Sequence, residues 1–107
     1  MKHCLIYVTA ASRESALEMA KTLVQQHLVA CANIIDRATS VYWWDGRLCE
    51  ETEALLLLKT RSDLKSAVIV RIQELHSYSC PCITAFDIDD GNPAFLDWIS
   101  SQTIQAR

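Results

Sequence analysis

The residue types best suited to chemistry lie close together in the second half of the chain, at residues 76–82. His76, Cys80 and Cys82 place one imidazole and two thiols in this short segment, and soft ligands of this kind favour Cu(I) or Zn(II). In a strand, Cys80 and Cys82 would point to the same side with Cα atoms about 6.6 to 7 Å apart, so both sulfurs would reach one ion. We therefore predict a metal site at these three residues, with copper or another divalent ion as its occupant and no obligatory cofactor.

A purely structural role is the alternative for the same residues. Cysteines are common in protein cores, and a histidine at the end of a helix interacts favourably with the helix dipole. In that case Cys82 belongs to the core and His76 ends the second helix. The sequence alone leaves both interpretations open.

Signatures of common enzyme classes are absent from the sequence. It contains no HExxH, GxSxG or CxxC motif, and its only glycines are Gly46 and Gly91, which argues against a phosphate-binding loop. A net charge of −3 without clustered Lys or Arg argues against nucleic acid as a partner. An apolar run of the ~20 residues that span a bilayer is also missing. We therefore expect a non-enzymatic, cytoplasmic protein that does not bind membranes, with its five cysteines as free thiols.

A long β-hairpin is the strongest structural signal in the chain. Asp45-Gly46 tolerates the positive φ angles of a tight turn and lies between runs rich in β-branched and aromatic residues. In the first arm, Tyr42 and Trp44 alternate with Val41 and Trp43, so both faces are apolar. In the second arm, the apolar run at residues 54–58 is typical of a central strand, although a buried helix is the alternative.

The other segments predict an α+β, ferredoxin-like split β-α-β sandwich, with a long β-hairpin and a C-terminal helix, in a single domain of residues 1–107. Strands are predicted at residues 4–11 and 82–88. A first helix, capped by Ser12, is predicted from 13 to about 26, and a second, capped by Ser62 or Asp63, runs to about 76. The last helix has Asn92 as its cap and Pro93 at its first position. Two helices would cover one sheet face. We expect neighbouring copies to cover the other face with the aromatic hairpin and the helix that carries Phe95 and Trp98.

Several separated runs of this sequence closely resemble the CutA family, the divalent-cation tolerance proteins. The resemblance covers nearly the whole chain, so chance is a poor explanation for it. The matching positions are 8–10, 28–32, 38–46, Glu53, 58–60, His76, Tyr78, Pro81 and 95–99.

The resemblance implies a homotrimer whose hairpins pair between subunits around a threefold axis. It also implies a cleft between subunits, with Trp44, Glu53, Lys59 and Tyr78 as its residues. Such a cleft suits a small anion or a metal complex, although interfaces are rich in aromatic residues for packing reasons alone.

Metal binding in the CutA family is associated with a cysteine near the end of the first strand, a histidine at the end of the second helix and a glutamate just after a proline. This chain has Val8 at the place of the cysteine, His76 or its neighbour Leu75 at the histidine and Cys82 at the glutamate, so two of the three residue types differ. Cys80 and Cys82 are candidate replacements.

Together these features predict a cytoplasmic homotrimer that acts in tolerance of divalent metal ions, copper among them, and binds metal weakly. The alternative is a trimeric signalling or scaffolding module that binds a small metabolite or a partner protein in its clefts.

Overall fold

Strands and helices follow one another in the order that the sequence predicted. The structure, a computed structural model, describes residues 1–104. Its elements are β1 (His3–Ala10), α1 (Arg13–Gln25), β2 (Cys31–Trp44), β3 (Arg47–Arg61), a 3-10 turn (Ser62–Leu64), α2 (Lys65–Leu75), β4 (Ile83–Ile88) and α3 (Pro93–Ser101). The fold is therefore α+β and ferredoxin-like, with a long hairpin formed by β2 and β3 and a C-terminal helix.

The strands form one antiparallel sheet in the order β2-β3-β1-β4, with α1 and α2 on one of its faces. The side chains that pack under these helices are apolar and buried, because alternate residues of a strand point to the same face. From the two central strands they are Cys4, Ile6, Val8, Ala54, Leu56 and Leu58. The predicted strand at residues 54–58 is confirmed and the helical alternative is wrong, since Leu55 and Leu57 face the opposite side and are only half buried.

The predicted hairpin turn is confirmed at Asp45 and Gly46, whose φ angles are 52° and 73°. Strand β1 pairs with β3 only as far as Ala54, so residues 38–53 form a two-stranded ribbon that projects beyond the four-stranded sheet. The chain is elongated as a result, with extents of 44 × 26 × 21 Å. Trp43 and Trp44, near the tip of the ribbon, are 72% and 55% exposed.

A β-bulge interrupts the pairing of β2 with β3 where the ribbon begins. Ile35 lies opposite Leu55 and Ala38 lies opposite Glu53, so two residues of β2 face a single residue of β3. One of the two is Arg37, which has a φ of 61°, a conformation that is uncommon for a residue other than glycine.

Side chains cap two of the helices as predicted. Ser12 Oγ accepts a hydrogen bond from the backbone N–H of Ser15 at 3.1 Å at the start of α1. Asn92 Oδ1 accepts one from the N–H of Ala94 at 3.1 Å at the start of α3, and Pro93 is the first residue of that helix. None of the helices in the part of the chain that the structure describes is long and apolar enough to cross a membrane.

The predicted cap of α2 is wrong, because neither Ser62 nor Asp63 caps it. Asp63 Oδ1 accepts a hydrogen bond from Arg61 Nε at 3.0 Å instead. Arg61 is only 1% exposed, and a buried guanidinium needs a partner of opposite charge. The hydrogen bond from Arg61 holds the pKa of the Asp63 carboxyl below its usual range.

The sheet face turned away from α1 and α2, here called the open face, is only partly covered. Its apolar side chains are half buried or exposed: Leu5, Tyr7, Ile35, Leu55, Leu57 and Phe86. Helix α3, which we expected on a neighbouring copy, packs on its own chain at one end of this face. There Ile99 is buried and Ser100 Oγ lies 2.8 Å from His3 Nε2.

Candidate functional site

A cavity of about 540 Å³ lies at the base of the ribbon, beside the end of β1 and the segment that precedes β4. We call it the Glu53 cavity. Its lining residues are Thr9, Ser40, Val41, Tyr42, Trp44, Glu53, Tyr78, Ser79, Cys80 and Cys82.

Among the lining residues within the described range 1–104, Glu53 alone carries a formal charge at neutral pH. Its side chain is removed from water, with 8% of the residue exposed, and its Oε2 accepts a hydrogen bond from the Tyr78 hydroxyl at 2.9 Å. Within residues 1–104, the ion pairs are Arg61–Asp63 and Arg71–Glu74, neither of which involves Glu53. Because buried charges in proteins are normally paired or bound to metal, this carboxylate is suited to receive a cation.

Tyr78 is the hydrogen-bond donor to this carboxylate. Removal from water, the hydrogen bond to Glu53 and the charge on its carboxylate, in that order of size, together raise the pKa of Tyr78 to about 12. The phenol therefore remains protonated at neutral pH and continues to donate its hydrogen to Glu53.

His76 lies at the end of α2, as predicted, where its backbone N–H donates to the carbonyl of Ile72 at 2.8 Å. The ring accepts a hydrogen bond at Nδ1 from the backbone N–H of Tyr78 at 3.1 Å. Nε2 therefore carries the ring hydrogen and donates it to the carbonyl of Thr9 at 2.7 Å. Both ring nitrogens are thus engaged within the chain, and His76 is not among the residues that line the cavity. The ring packs against that of Tyr78 with centroids 4.7 Å apart, so it positions this tyrosine.

Cys80 and Cys82 are free thiols, exposed, and both line the cavity. They do not lie within a strand, because β4 begins at Ile83. The interpretation of Cys82 as a core residue is wrong, since its side chain is open to the cavity. No group of three or more His, Cys, Asp or Glu side chains that could hold a metal ion occurs in residues 1–104, so His76, Cys80 and Cys82 do not form a three-ligand site within one chain.

Three of the four predicted cleft residues, Trp44, Glu53 and Tyr78, line the same cavity. The fourth, Lys59, lies further along β3, where its Nζ donates to Asn33 Oδ1 at 2.7 Å. The cavity consequently carries a carboxylate without a lysine.

Tyr42 is a cavity residue that the sequence interpretation missed. It lies opposite Cys49 in the ribbon, on the face that it shares with Trp44 and Glu53. The alternation of side chains had already placed Tyr42 beside Trp44. That alternation is the signal in the sequence that identifies Tyr42 as a neighbour of the site.

Comparison with known proteins identifies relatives along nearly the whole chain. The family model described as CutA1 divalent ion tolerance protein matches residues 4–102. The divalent-cation tolerance protein CutA of Pyrococcus horikoshii is 40% identical over 99 residues, which are 92% of this chain and 96% of the relative. Its namesake from Archaeoglobus fulgidus is 42% identical over 97 residues, which are 91% of this chain and 94% of the relative.

Solved structures agree with these sequence relatives. The crystal structure of CutA1 from Oryza sativa superposes with a TM-score of 0.96 and 32% identity, covering 99% of this chain and 97% of the other. That of CutA1 from Ehrlichia chaffeensis gives a TM-score of 0.92 and 35% identity, covering 98% and 99%.

Proposed function

Because this chain belongs to the CutA1 divalent ion tolerance family, we propose that it acts in divalent-cation tolerance as a non-enzymatic, cytoplasmic homotrimer that binds metal ions weakly, copper among them. The names of its relatives speak of cation tolerance, and the chain has a cavity with the chemistry for a cation. The five free thiols are consistent with a reducing compartment.

The observation that carries the proposal is a buried carboxylate without a cationic partner, Glu53, in the same cavity as two free thiols. A bound cation would balance the charge of this carboxylate, whose isolation from water is otherwise unfavourable. Thiolates prefer soft ions such as Cu(I), and their protons leave when the metal binds. Cys80 and Cys82 are the proposed ligands, and His76 acts indirectly by holding Tyr78 against Glu53.

Assembly into a homotrimer is supported by the surfaces that a single chain leaves uncovered. The open face carries apolar side chains, and the ribbon exposes Trp43, Trp44 and Leu48. Contiguous apolar surface of this kind is typical of protein interfaces. Three copies related by a closed rotation would cover it without leaving a free edge.

Native mass spectrometry of the purified protein tests the assembly and any retained metal in one measurement. We expect a trimer, and a well-folded monomer at micromolar concentration would contradict the proposal.

Competition titration against a Cu(I) chelator, under reducing conditions, tests the metal ligands. The double variant Cys80→Ser, Cys82→Ser should lose most Cu(I) binding, and the affinity of the parent should rise with pH because protons are released. Cys31→Ser is the matched control, since Cys31 lies at the start of β2 and outside the cavity. Equal binding by the parent and the double variant would exclude these ligands.

A second candidate function, a trimeric signalling or scaffolding module, is favoured by the volume and aromatic lining of the same cavity. Its volume of about 540 Å³ lies within the range of small-molecule sites. Binding of a small organic molecule, without any loss when both thiols are removed, would support this candidate.

A further inference from the structure

The aromatic walls of the Glu53 cavity indicate a ligand class other than a metal. We propose that this cavity binds a small organic ammonium ion, with Glu53 as its counter-charge and with Tyr42, Trp44 and Tyr78 as the rings that surround it. The inference uses the same cavity as the proposed function, but it does not depend on metal binding.

The electrostatics of the cavity select a cation. In the part of the chain that the structure describes, no Lys or Arg lines the cavity, and Glu53 supplies one negative charge at low exposure. Glu51, two residues before Glu53 on β3, adds negative potential on the same side. Removal from water is the largest cause of the raised pKa of Tyr42 and of Tyr78, and the charge on Glu51 is one of the smaller causes at both residues. A bound anion would be repelled, and a neutral ligand would leave Glu53 uncompensated.

The rings make an organic cation a better occupant than a hydrated inorganic one. The faces of Trp and Tyr rings attract ammonium groups through their quadrupoles, and several rings around one site are the usual arrangement for quaternary ammonium recognition. A strongly hydrated ion would gain little from these apolar walls. A methylated ammonium group is weakly hydrated and would place its methyl groups against them.

The polar groups of the lining fit the remaining part of such a ligand. Thr9, Ser40 and Ser79 line the cavity, and their hydroxyls can bond to the polar substituents that small organic cations carry. The two thiols lie in the same cavity. Metal binding should therefore depend on the thiols and ammonium binding on the rings, with Glu53 serving both.

Isothermal titration with tetramethylammonium chloride tests the inference directly. Potassium chloride controls for ionic strength, and tert-butanol is a neutral probe of similar size. We expect saturable binding of tetramethylammonium at millimolar concentration and at least about tenfold weaker binding of tert-butanol, since only the cation gains from the carboxylate and the rings. Equal binding of both probes, or absence of binding by tetramethylammonium, would overturn the proposal.

Variants separate this inference from the metal proposal. Glu53→Gln should weaken tetramethylammonium binding about tenfold or more, and Trp44→Leu should weaken it by a smaller factor. Cys80→Ser with Cys82→Ser should leave it unchanged while Cu(I) binding is lost. Trp98→Leu is the matched control, because Trp98 is an exposed ring on α3 outside the cavity.

Assembly is measured for every variant by native mass spectrometry, since Trp44 also lies in the ribbon. If Trp44→Leu fails to assemble, Tyr78→Phe and Glu53→Gln decide the question. Unchanged tetramethylammonium binding by a folded, assembled Glu53→Gln protein would refute the role of the carboxylate.

Discussion

Tyr78 connects three parts of the molecule through one side chain. Its hydroxyl donates to Glu53 on β3, its backbone N–H donates to His76 at the end of α2, and that histidine reaches the carbonyl of Thr9 on β1. A carboxylate buried at the base of a projecting ribbon is thereby fixed by hydrogen bonds that lead back to the sheet and the second helix. The sequence placed His76 at the end of the second helix and Tyr78 near the site, but it did not predict the hydrogen bonds of the imidazole ring, since residue type alone does not reveal which groups its two nitrogens bond.

The titration of Tyr78 should make the protein less stable in strong alkali. Its pKa is raised from the usual 10.0 to about 12. Below pH 10 neither the folded nor the unfolded phenol loses its proton, so the stabilising contribution is fully present. As the pH rises from 10 to 12 the unfolded phenol ionises first, and the free energy of unfolding should fall. Urea denaturation between pH 9 and 12 measures this slope, which should be shallower for Tyr78→Phe. An identical slope for the parent and the variant would contradict the expected contribution of Tyr78 to this loss of stability.

Among the elements, those whose boundaries depend on local chemistry were predictable. Ser12 and Asn92 cap helices, and Asp45-Gly46 makes a turn, because each interaction involves residues within a few positions. The start of α2 was not predictable by the same reasoning. Asp63 has the right residue type for a cap, but its carboxylate accepts a hydrogen bond from the Arg61 guanidinium instead. Arg61 is buried by packing with distant parts of the chain, and it also donates to the carbonyl of Ile104 at 2.7 Å.

The hairpin turn provides a matched test with the two glycines of the chain. Gly46 has a φ of 73° and open space where a Cβ would lie, so Gly46→Ala should cost about 1 kcal/mol through backbone strain alone. At Gly91 an added Cβ would meet Leu96 at 3.6 Å, an ordinary contact, and Gly91→Ala should be close to neutral. Thermal or urea unfolding of both variants gives the comparison. A loss at Gly46 no larger than the loss at Gly91 would mean that the turn does not need its left-handed conformation.

For the whole molecule, the uncovered surfaces are the feature with the largest consequences. The ribbon and the open face expose apolar groups, and contiguous apolar surface of this kind is normally buried in an interface because it otherwise promotes aggregation. The sequence predicted this surface from the two apolar faces of the hairpin. It did not predict that α3 would cover part of its own sheet, because the hydrophobic pattern of a helix shows that it packs and does not show on which chain.

Truncation of the ribbon aromatics should reveal how this surface is used. Trp43→Ala or Trp44→Ala should each cost about 3 to 5 kcal/mol if neighbouring copies bury the rings, even though both rings are largely exposed in one chain. The loss should vary with protein concentration, because it acts through assembly. Light scattering and unfolding at several concentrations measure both effects, with the exposed Val70→Ala on α2 as control. A loss below about 1 kcal/mol for both tryptophans would show that the rings remain in solvent.

The β-bulge at Arg37 determines which of two adjacent tryptophans reaches the Glu53 cavity. Before the bulge, odd-numbered residues of β2 such as Ile35 lie opposite odd-numbered residues of β3, whereas after it the even-numbered Ala38 lies opposite Glu53. The extra residue in the bulge shifts the register, so that even-numbered instead of odd-numbered residues of β2 point to the face of Glu53. Even-numbered aromatic residues, Tyr42 and Trp44, therefore share the face of Glu53, and deletion of one residue at the bulge would turn both rings to the other face and present Trp43 in their place. The number of residues in the bulge, between Ile35 and Ala38, thus determines which aromatic side chains of β2 form the cavity wall. A deletion there would change the wall although every lining residue would still be present in the sequence.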